Sequence, residues 1–544
     1  MGVICFLSSD DTGSNSPLKG RSMENRGIAR SAFSISAVTF TSRVFGLVRE
    51  WLRGYLLGTT GSSDAFSLAF MFPNLMRRLV GEGALVAAFV PVLSDYLESN
   101  SKKEMEEFVH SFFTLLLLFL VLCVGVVVAA APVLRFFLPK YTNVPGKLEL
   151  TIFLTRLMFP YILLISLAAL TQAILNTFKV FVPSALTPIL LNISIITVGI
   201  GLGSKMSDPS IALGIGVLVG GTIQFFFQVP FLRRHEIGYR FSFSWGNPGV
   251  RKVFFLMIPA TIGAGVYQIN ALVSQFIAAY LEEGSVAALR FSNTLVEVVL
   301  GVFVLSIATV ILPALSEKSS KGDPEAMKRI LNFALRLTFL ITVPSTFGLI
   351  ILRYPIVIML FRYGKFTEES AAMVSYALLF QAIGISASGG VRVLIQMFYS
   401  LKDMRTPVWI AGVSMTINIA LCIVLSRPLR LGGVALAGSI SAFSNFFLLY
   451  TFLTRRVGSV IDRATVFVIS KALLASLGMG LILFFARRFL EEIMAKSRLY
   501  NAGITLLLLL AGVLVYLIMN LLFKNRDIME LFRIFINRMH LSKR

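Results

Sequence analysis

Two otherwise apolar stretches carry a cluster of charges that could bind an anion. SRVFGLVREWLRG holds Arg43, Arg49, Glu50 and Arg53; SDAFSLAFMFPNLMRRLVGEGALVAAF holds Asp64, Arg77, Arg78 and Glu82. An arginine presents a planar fork of donors that gives a phosphate two parallel charge-assisted hydrogen bonds. Some of these charges can satisfy each other. Arg78 and Glu82 are spaced i,i+4, and Glu50 reaches Arg53 at i,i+3. The arginines outnumber the acids, and the surplus suits a cavity that takes a polyanion such as a diphosphate. Arg53 and Arg78, which have partners or boundary positions, also fit snorkelling into a headgroup layer. Arg43, Arg49 and Arg77 fit that less well.

Other chemistries find no residues to carry them. No Gly-rich loop ends in Lys-Ser or Lys-Thr, no Asp-rich cluster could hold magnesium, and no Ser-His-acid set appears. Cys5, Cys123 and Cys422 are scattered, as are His110, His235 and His540. Neither a disulfide framework nor a metal spacing follows. The expectation is a protein that is not an enzyme and uses no cofactor or metal.

The elements that must position the arginines are membrane helices. Of 544 residues, 56% are hydrophobic and 14% charged, against roughly 25% charged in a soluble domain. Apolar runs of about 20 residues, enough to cross a bilayer core as helix, recur along the chain. They predict fourteen helices, near 28–57, 62–94, 106–138, 149–177, 184–203, 210–232, 251–281, 285–316, 326–352, 370–400, 406–426, 433–454, 465–486 and 500–523. In the second helix Pro73 removes the bond to the Ala69 carbonyl, and Asn74, Gly81 and Gly83 follow. That helix should bend or loosen there.

The net charge of +22 does not indicate nucleic acid, because Lys and Arg cluster in alternate loops as the positive-inside rule requires. Arg233, Arg234, Arg240, Arg251 and Lys252 fill one such loop, and Lys524, Arg526, Arg533, Arg538, Lys543 and Arg544 form a basic tail over 524–544. Both termini are expected in the cytoplasm. Residues 1–27 read as a disordered polar extension without a signal-peptide pattern, and Met23 is a plausible start.

The chain also repeats itself. VPVLSDY at Val90–Tyr96 matches LPALSEK at Leu312–Lys318, with Pro91 and Pro313 222 apart. QAILNTFKVFVP matches QMFYSLKDMRTP, with Gln172 and Gln396 224 apart. Two matches at nearly one offset mark helices 1–6 (28–232) and 7–12 (233–454) as duplicated lobes. Six is even, so the lobes should be related by a pseudo-two-fold along the membrane normal, with substrate between them. Helices 13 and 14 (455–523) have no counterpart. The fold class expected is an all-α polytopic membrane protein of this design.

The strings SRVFGLVRE, SDAFSLAFMFPNLMRRLVGEGALVAAFVPVL, PYILLISLAALTQAILNTF, TPILLNIS, LFRYGKFT and FYSLKDMRTPV resemble the MurJ (MviN) family of lipid II flippases. These belong to the multidrug, oligosaccharidyl-lipid and polysaccharide exporter superfamily. The likeness runs from about residue 28 to 525. It implies lipid II, an undecaprenyl-diphosphate-linked disaccharide-pentapeptide, as cargo. The cargo would be moved from the cytoplasmic to the outer leaflet of the bacterial inner membrane by alternating access. It further implies a lipid-tail groove on helices 13 and 14, essential arginines at Arg43, Arg49 and Arg77, and acids at Asp64 and Glu82. Arg78 joins these as a candidate contact. The expected partners are this lipid and the membrane, without nucleic acid and with the monomer as the working unit. The alternative is an exporter of another polyprenyl-diphosphate-linked oligosaccharide or of small molecules. A drug exporter would favour acids for cationic substrates, and the arginine surplus argues against it.

One position departs from the family. An arginine usually precedes the helix-8 glutamate, here Glu297, but Thr294 stands at its place. Arg290, one turn earlier on the same face, is expected to supply that charge. Asn270 and Asn418 could ligate a coupling ion but read better as interhelical hydrogen-bonding residues. Replacing Arg43, Arg49 or Arg77 by lysine keeps the charge but loses the fork. Each variant should complement a depleted strain about tenfold less well, and full rescue by all three would show that charge alone suffices.

Overall fold

The computed structural model describes residues 41–99, 101–244 and 246–525, with 527 and 529. The expected extension 1–27, the first part of helix 1 and most of the basic tail lie outside the described residues. Every regular element among the described residues is a helix. By contacts, the chain divides into two compact units. One extends through Arg290 and takes in Arg362–Ser370; the other takes in Phe291–Phe361 and the chain from Ala371 on.

The first unit begins with α1 (41–57), α2 (Gly61–Met76), a π-helical segment (Arg77–Leu85) and α3 (Val86–Ser99). It continues with α4 (Lys102–Ala130), the short α5 (Leu134–Phe137), α6 (Lys147–Met158), α7 (Tyr161–Thr177), α8 (Val182–Leu202), α9 (Pro209–Arg233) and α10 (Pro248–Ala279). Local sequence sets the starts. Ser101 and Glu104 form a reciprocal capping box at α4, and Asp208 and Asn247 cap α9 and α10 just before a proline. Phe89, Phe108 and Phe112 pack together in the core, and α10 lies against the π segment and α3.

Helix α11 (Ser285–Val299) leads through a second π-helical segment (Leu300–Val304) into α12 (Leu305–Ser320). The second unit then holds α13 (Pro324–Phe361), α14 (Glu368–Ile383), α15 (Ile385–Ser400), α16 (Arg405–Leu429), α17 (Leu431–Val457), α18 (Arg463–Lys496) and α19 (Arg498–Leu522). Ten helices among the described residues are long and apolar enough to cross a membrane, or eleven if α14 and α15, bent by 46°, count as one. The expected spans at 28–57, 62–94 and 251–281 are not among them, although each is helical where described.

The internal repeat reappears as a repeat of defects. The loosening expected after Pro73 is the nine-residue π segment from Arg77. Displaced by the 222 residues of the repeat it falls on 299–307, which contains the π segment Leu300–Val304. The break at Pro160 between α6 and α7, displaced by 224, falls on Gly384, the break between α14 and α15. The physical causes differ. Proline removes a helical bond, whereas Gly384 lets the bend approach α17, since a Cβ there would sit 2.7 Å from the Ser439 hydroxyl.

Prolines inside spans also serve as docking points. Each frees the carbonyl four residues earlier, and three such carbonyls are taken by a side chain from another helix. Arg156 Nε donates to Val128 O at 3.0 Å, four before Pro132. Tyr516 Oη donates to Leu340 O at 2.9 Å, four before Pro344. Arg487 donates to Ile351 O at 2.9 Å, four before Pro355. The freed carbonyl thereby becomes an interhelical contact rather than a buried orphan.

This rule predicts a coupling between residues 516 and 344. Tyr516→Phe should destabilise the purified protein by about 1–3 kcal/mol. In a Pro344→Ala background residue 344 regains its amide and can bond Leu340 itself, so the same change should cost under about 1 kcal/mol. Thermal unfolding of the four variants reads this out, and equal costs in both backgrounds would refute the role given to Pro344.

Candidate anion-binding site

Helix α1 is seated on α8 by polar contacts. Arg49 donates to Asn192 Oδ1 at 3.0 Å, and Asn192 Nδ2 donates to the Ser42 carbonyl at 3.3 Å. One turn on, the charges close on each other. Arg49 and Arg53 each reach Glu50 at 2.8 Å, one on either carboxylate oxygen, and Arg53 also donates to the Ser67 hydroxyl at 2.5 Å. Arg53 is 3% exposed, so it does not snorkel; it ties α1 to α2. Arg290 completes the wall of this pocket and lies within the electrostatic reach of Glu50. The cavity they enclose, about 10 Å³, has room for one water.

The other expected residues are placed as follows. Arg43 is half-buried on α1 two turns before Glu50. Arg77 opens the π segment and rests on Asn74 Oδ1, at 3.1 Å from Nε and 2.9 Å from the terminal nitrogen. Arg78 is exposed, and the side chain of Glu82 lies outside the described residues. The structure therefore brings Arg49 and Arg290 to one pocket with Glu50 and Arg53, and sets Arg77 on the adjoining helix.

Asp64 is elsewhere. It sits thirteen residues before Arg77 on the sequence of α2, roughly 20 Å away along the helix axis, and is 1% exposed. Its carboxylate accepts from Lys147 Nζ at 2.8 Å, from Gly284 N at 2.8 Å and from Ala287 N at 2.9 Å. It thus caps the start of α11, where free amides and the helix dipole favour an anion. Backbone packs tightly around it. Gly284 and Gly364 have positive φ of 85° and 59°. A Cβ on either would fall 2.2 Å from a carbonyl oxygen, of Thr59 and Tyr55 respectively. Asp64 acts as a structural clamp in this conformation and is not among the residues that line the arginine pocket.

Glu297 meets a cation that sequence reasoning passed over. Arg392 on α15 holds both its oxygens from one nitrogen, at 3.0 and 3.2 Å, and the other nitrogen reaches Leu300 O at 3.4 Å. The guanidinium thus bridges an acid and the π segment beside it. The signal was available: Arg392 lies in GGVRVLIQM, as apolar as the runs around the other arginines. Asn192, a lone amide in TPILLNIS, had the same signal. Lys147 had none, because it stands where a helix merely starts.

The sequence model of the lipid II flippase MurJ family matches residues 54–524. A probable lipid II flippase MurJ of Vibrio cholerae is 36% identical over 459 residues, covering 83% of this chain and 87% of that one. A lipid II flippase MurJ of Burkholderia cenocepacia is 33% identical over 432 residues, covering 78% and 84%. A solved structure described as lipid II flippase MurJ in an inward closed conformation superposes with a TM-score of 0.78 at 28% identity, over 91% of this chain and 100% of that one. An inward-facing multidrug resistance MATE family transporter of the MOP superfamily has a TM-score of 0.64 at 12% identity, over 78% and 98%, and shares the fold.

The buried ion pair makes a further prediction. Lys147→Met leaves Asp64 buried without its countercharge and should cost about 3–5 kcal/mol of stability. Adding Asp64→Asn should recover much of that loss. If Lys147→Met unfolds at the wild-type temperature, the clamp is not a stabilising contact.

Proposed function

The chain belongs to the lipid II flippase MurJ family, and from that premise we propose that it carries lipid II across the bacterial inner membrane for peptidoglycan synthesis. It does so by alternating access, as a monomer of fourteen spans with both termini in the cytoplasm, and catalyses no covalent step. The arginines of α1 and of the π-helical segment that follows α2 take the diphosphate, with Arg290 adding charge from α11, and the tail runs along α18 and α19.

The observation that carries the arginine reading is how Arg49 and Arg77 are held. Both are half-buried and count a neutral amide oxygen among their partners, that of Asn192 for Arg49, which also meets Glu50, and that of Asn74 for Arg77. A phosphate oxygen forms shorter and stronger bonds to guanidinium than an amide does, so it can displace them. Arg53, sealed against Glu50 and Ser67, keeps its partners and holds the helices.

Depletion of the protein should leave lipid II inaccessible in the outer leaflet, and re-expression should restore access. Arg290→Ala should lower the restored flux by about tenfold, the loss of roughly one charged hydrogen bond. Placing arginine at Thr294 in that background should return part of it. Undiminished translocation by Arg290→Ala would remove that residue from the site; outer-leaflet lipid II unchanged on depletion would remove the flippase reading itself.

A further inference from the structure

The second unit contains two arginines that have each other for company and no acid. Arg353 on α13 donates to the Ile350 carbonyl of its own helix. Arg487 on α18 donates at 2.9 Å to the next carbonyl, Ile351 O, which Pro355 has freed. The two guanidinium groups are thereby anchored on consecutive carbonyls of one turn of α13. Other arginines of this unit have carboxylates: Arg336 with Asp527, Arg392 with Glu297, Arg456 with Asp403. Among the described residues neither Arg353 nor Arg487 makes such a pair.

Like charges held together at half burial call for an anion between them. Their depth says which kind. The apolar runs expected to span the membrane end at 352 and 486, one residue before each arginine. Arg353 lies about 12 Å before the end of α13, and Arg487 about 14 Å before the end of α18. Both therefore sit where hydrocarbon gives way to headgroups. Each guanidinium uses one donor on a helix carbonyl, and an arginine has five. One turn before Arg487 on the same side of α18, Phe484 is 47% exposed, an apolar contact for an acyl or isoprenyl chain.

We propose that Arg353 and Arg487 together bind the phosphate of a membrane lipid, gripping it between α13 and α18 with its chain passing Phe484. The site is separate from the arginines of α1 and α2 and does not depend on the identity of the cargo. A paired fork holds a phosphate that a single snorkelling arginine would only graze. The occupant replaces the acid that the protein does not provide.

The test is native mass spectrometry of the full chain in detergent, with phosphatidylglycerol, undecaprenyl diphosphate and phosphate-free diacylglycerol as probes. Wild type should retain one phosphatidylglycerol under activation that strips diacylglycerol. Arg353→Gln with Arg487→Gln should weaken retention by about tenfold or more, while Arg488→Gln, an exposed neighbour, should leave it unchanged. Displacement by undecaprenyl diphosphate would assign the site to the cargo's phosphate; resistance to it would assign the site to a phospholipid. Equal retention of diacylglycerol by wild type would overturn the proposal. So would unchanged phosphatidylglycerol binding by a double variant that melts like wild type. If the double variant does not fold, the comparison of the two lipids on wild type decides alone.

Discussion

An arginine inside a membrane span must be given oxygen. Its guanidinium cannot be deprotonated away, and hydrocarbon offers nothing in return for lost water. Where that oxygen comes from organises much of this protein. In the first unit side chains supply it: Glu50 and Ser67 for Arg53, Glu50 and Asn192 for Arg49, Asn74 for Arg77. In the second unit the backbone contributes more. Arg487 takes a carbonyl freed by proline, and Arg392 takes one at the start of a π segment. Helix irregularities and cations are thus two sides of one arrangement, in which a defect releases an acceptor and a charge from a neighbouring helix uses it.

The same logic makes the duplication intelligible. Sequence identity between the repeats survives at a few strings, yet the π segments and the helix breaks recur at the repeat offsets. What is retained is the location of backbone weakness rather than the residue that causes it. Pro160 and Gly384 mark the same break by opposite means, one by removing a donor and the other by admitting a close neighbour. The charges have not been retained: Arg77 and Arg78 have no basic counterpart 222 residues on, where Val299 and Leu300 stand. The two units share mechanics while differing in electrostatics.

Much of this was legible in the sequence, for a reason. Apolar length, charge excess and the repeat are additive properties, and they indicated helices where helices occur. Pro73 with nearby glycines marked the π segment because proline acts locally. Partner identity was not legible. Nothing in the spacing of Asp64 tells that Lys147 and the amides of Gly284 and Ala287 converge on it. Glu297 is met by Arg392, ninety-five positions away. Thr294 drew attention to its own helix, whereas the cation beside the glutamate came from α15. The choice between a sealed and an exchangeable arginine needs the third dimension. Arg49 and Arg53 look alike in VREWLRG, but one is held by an amide as well as an acid and the other is closed off on every side that is described.

The closeness of the arginine pocket bears on selectivity. A cavity with room for one water cannot admit a diphosphate, so the conformation described is one in which this pocket is closed. Glu50 offsets part of the charge, one carboxylate shared by Arg49 and Arg53 with Arg290 in the same pocket wall, which lowers the cost of an empty site without cancelling the excess. It also means that a ligand enters only by exchange. A neutral molecule would break the Arg49–Asn192 and Arg77–Asn74 contacts and return nothing stronger, while a polyanion replaces each with a charge-assisted bond. Under the proposed function, discrimination would come less from the shape of a preformed hole than from the exchange of weaker partners at these forks. Asparagine suits this role because its oxygen satisfies guanidinium without matching a phosphate. A carboxylate in its place would compete on equal terms, as Glu50 already does for part of the Arg49 fork while Arg53 holds its other oxygen.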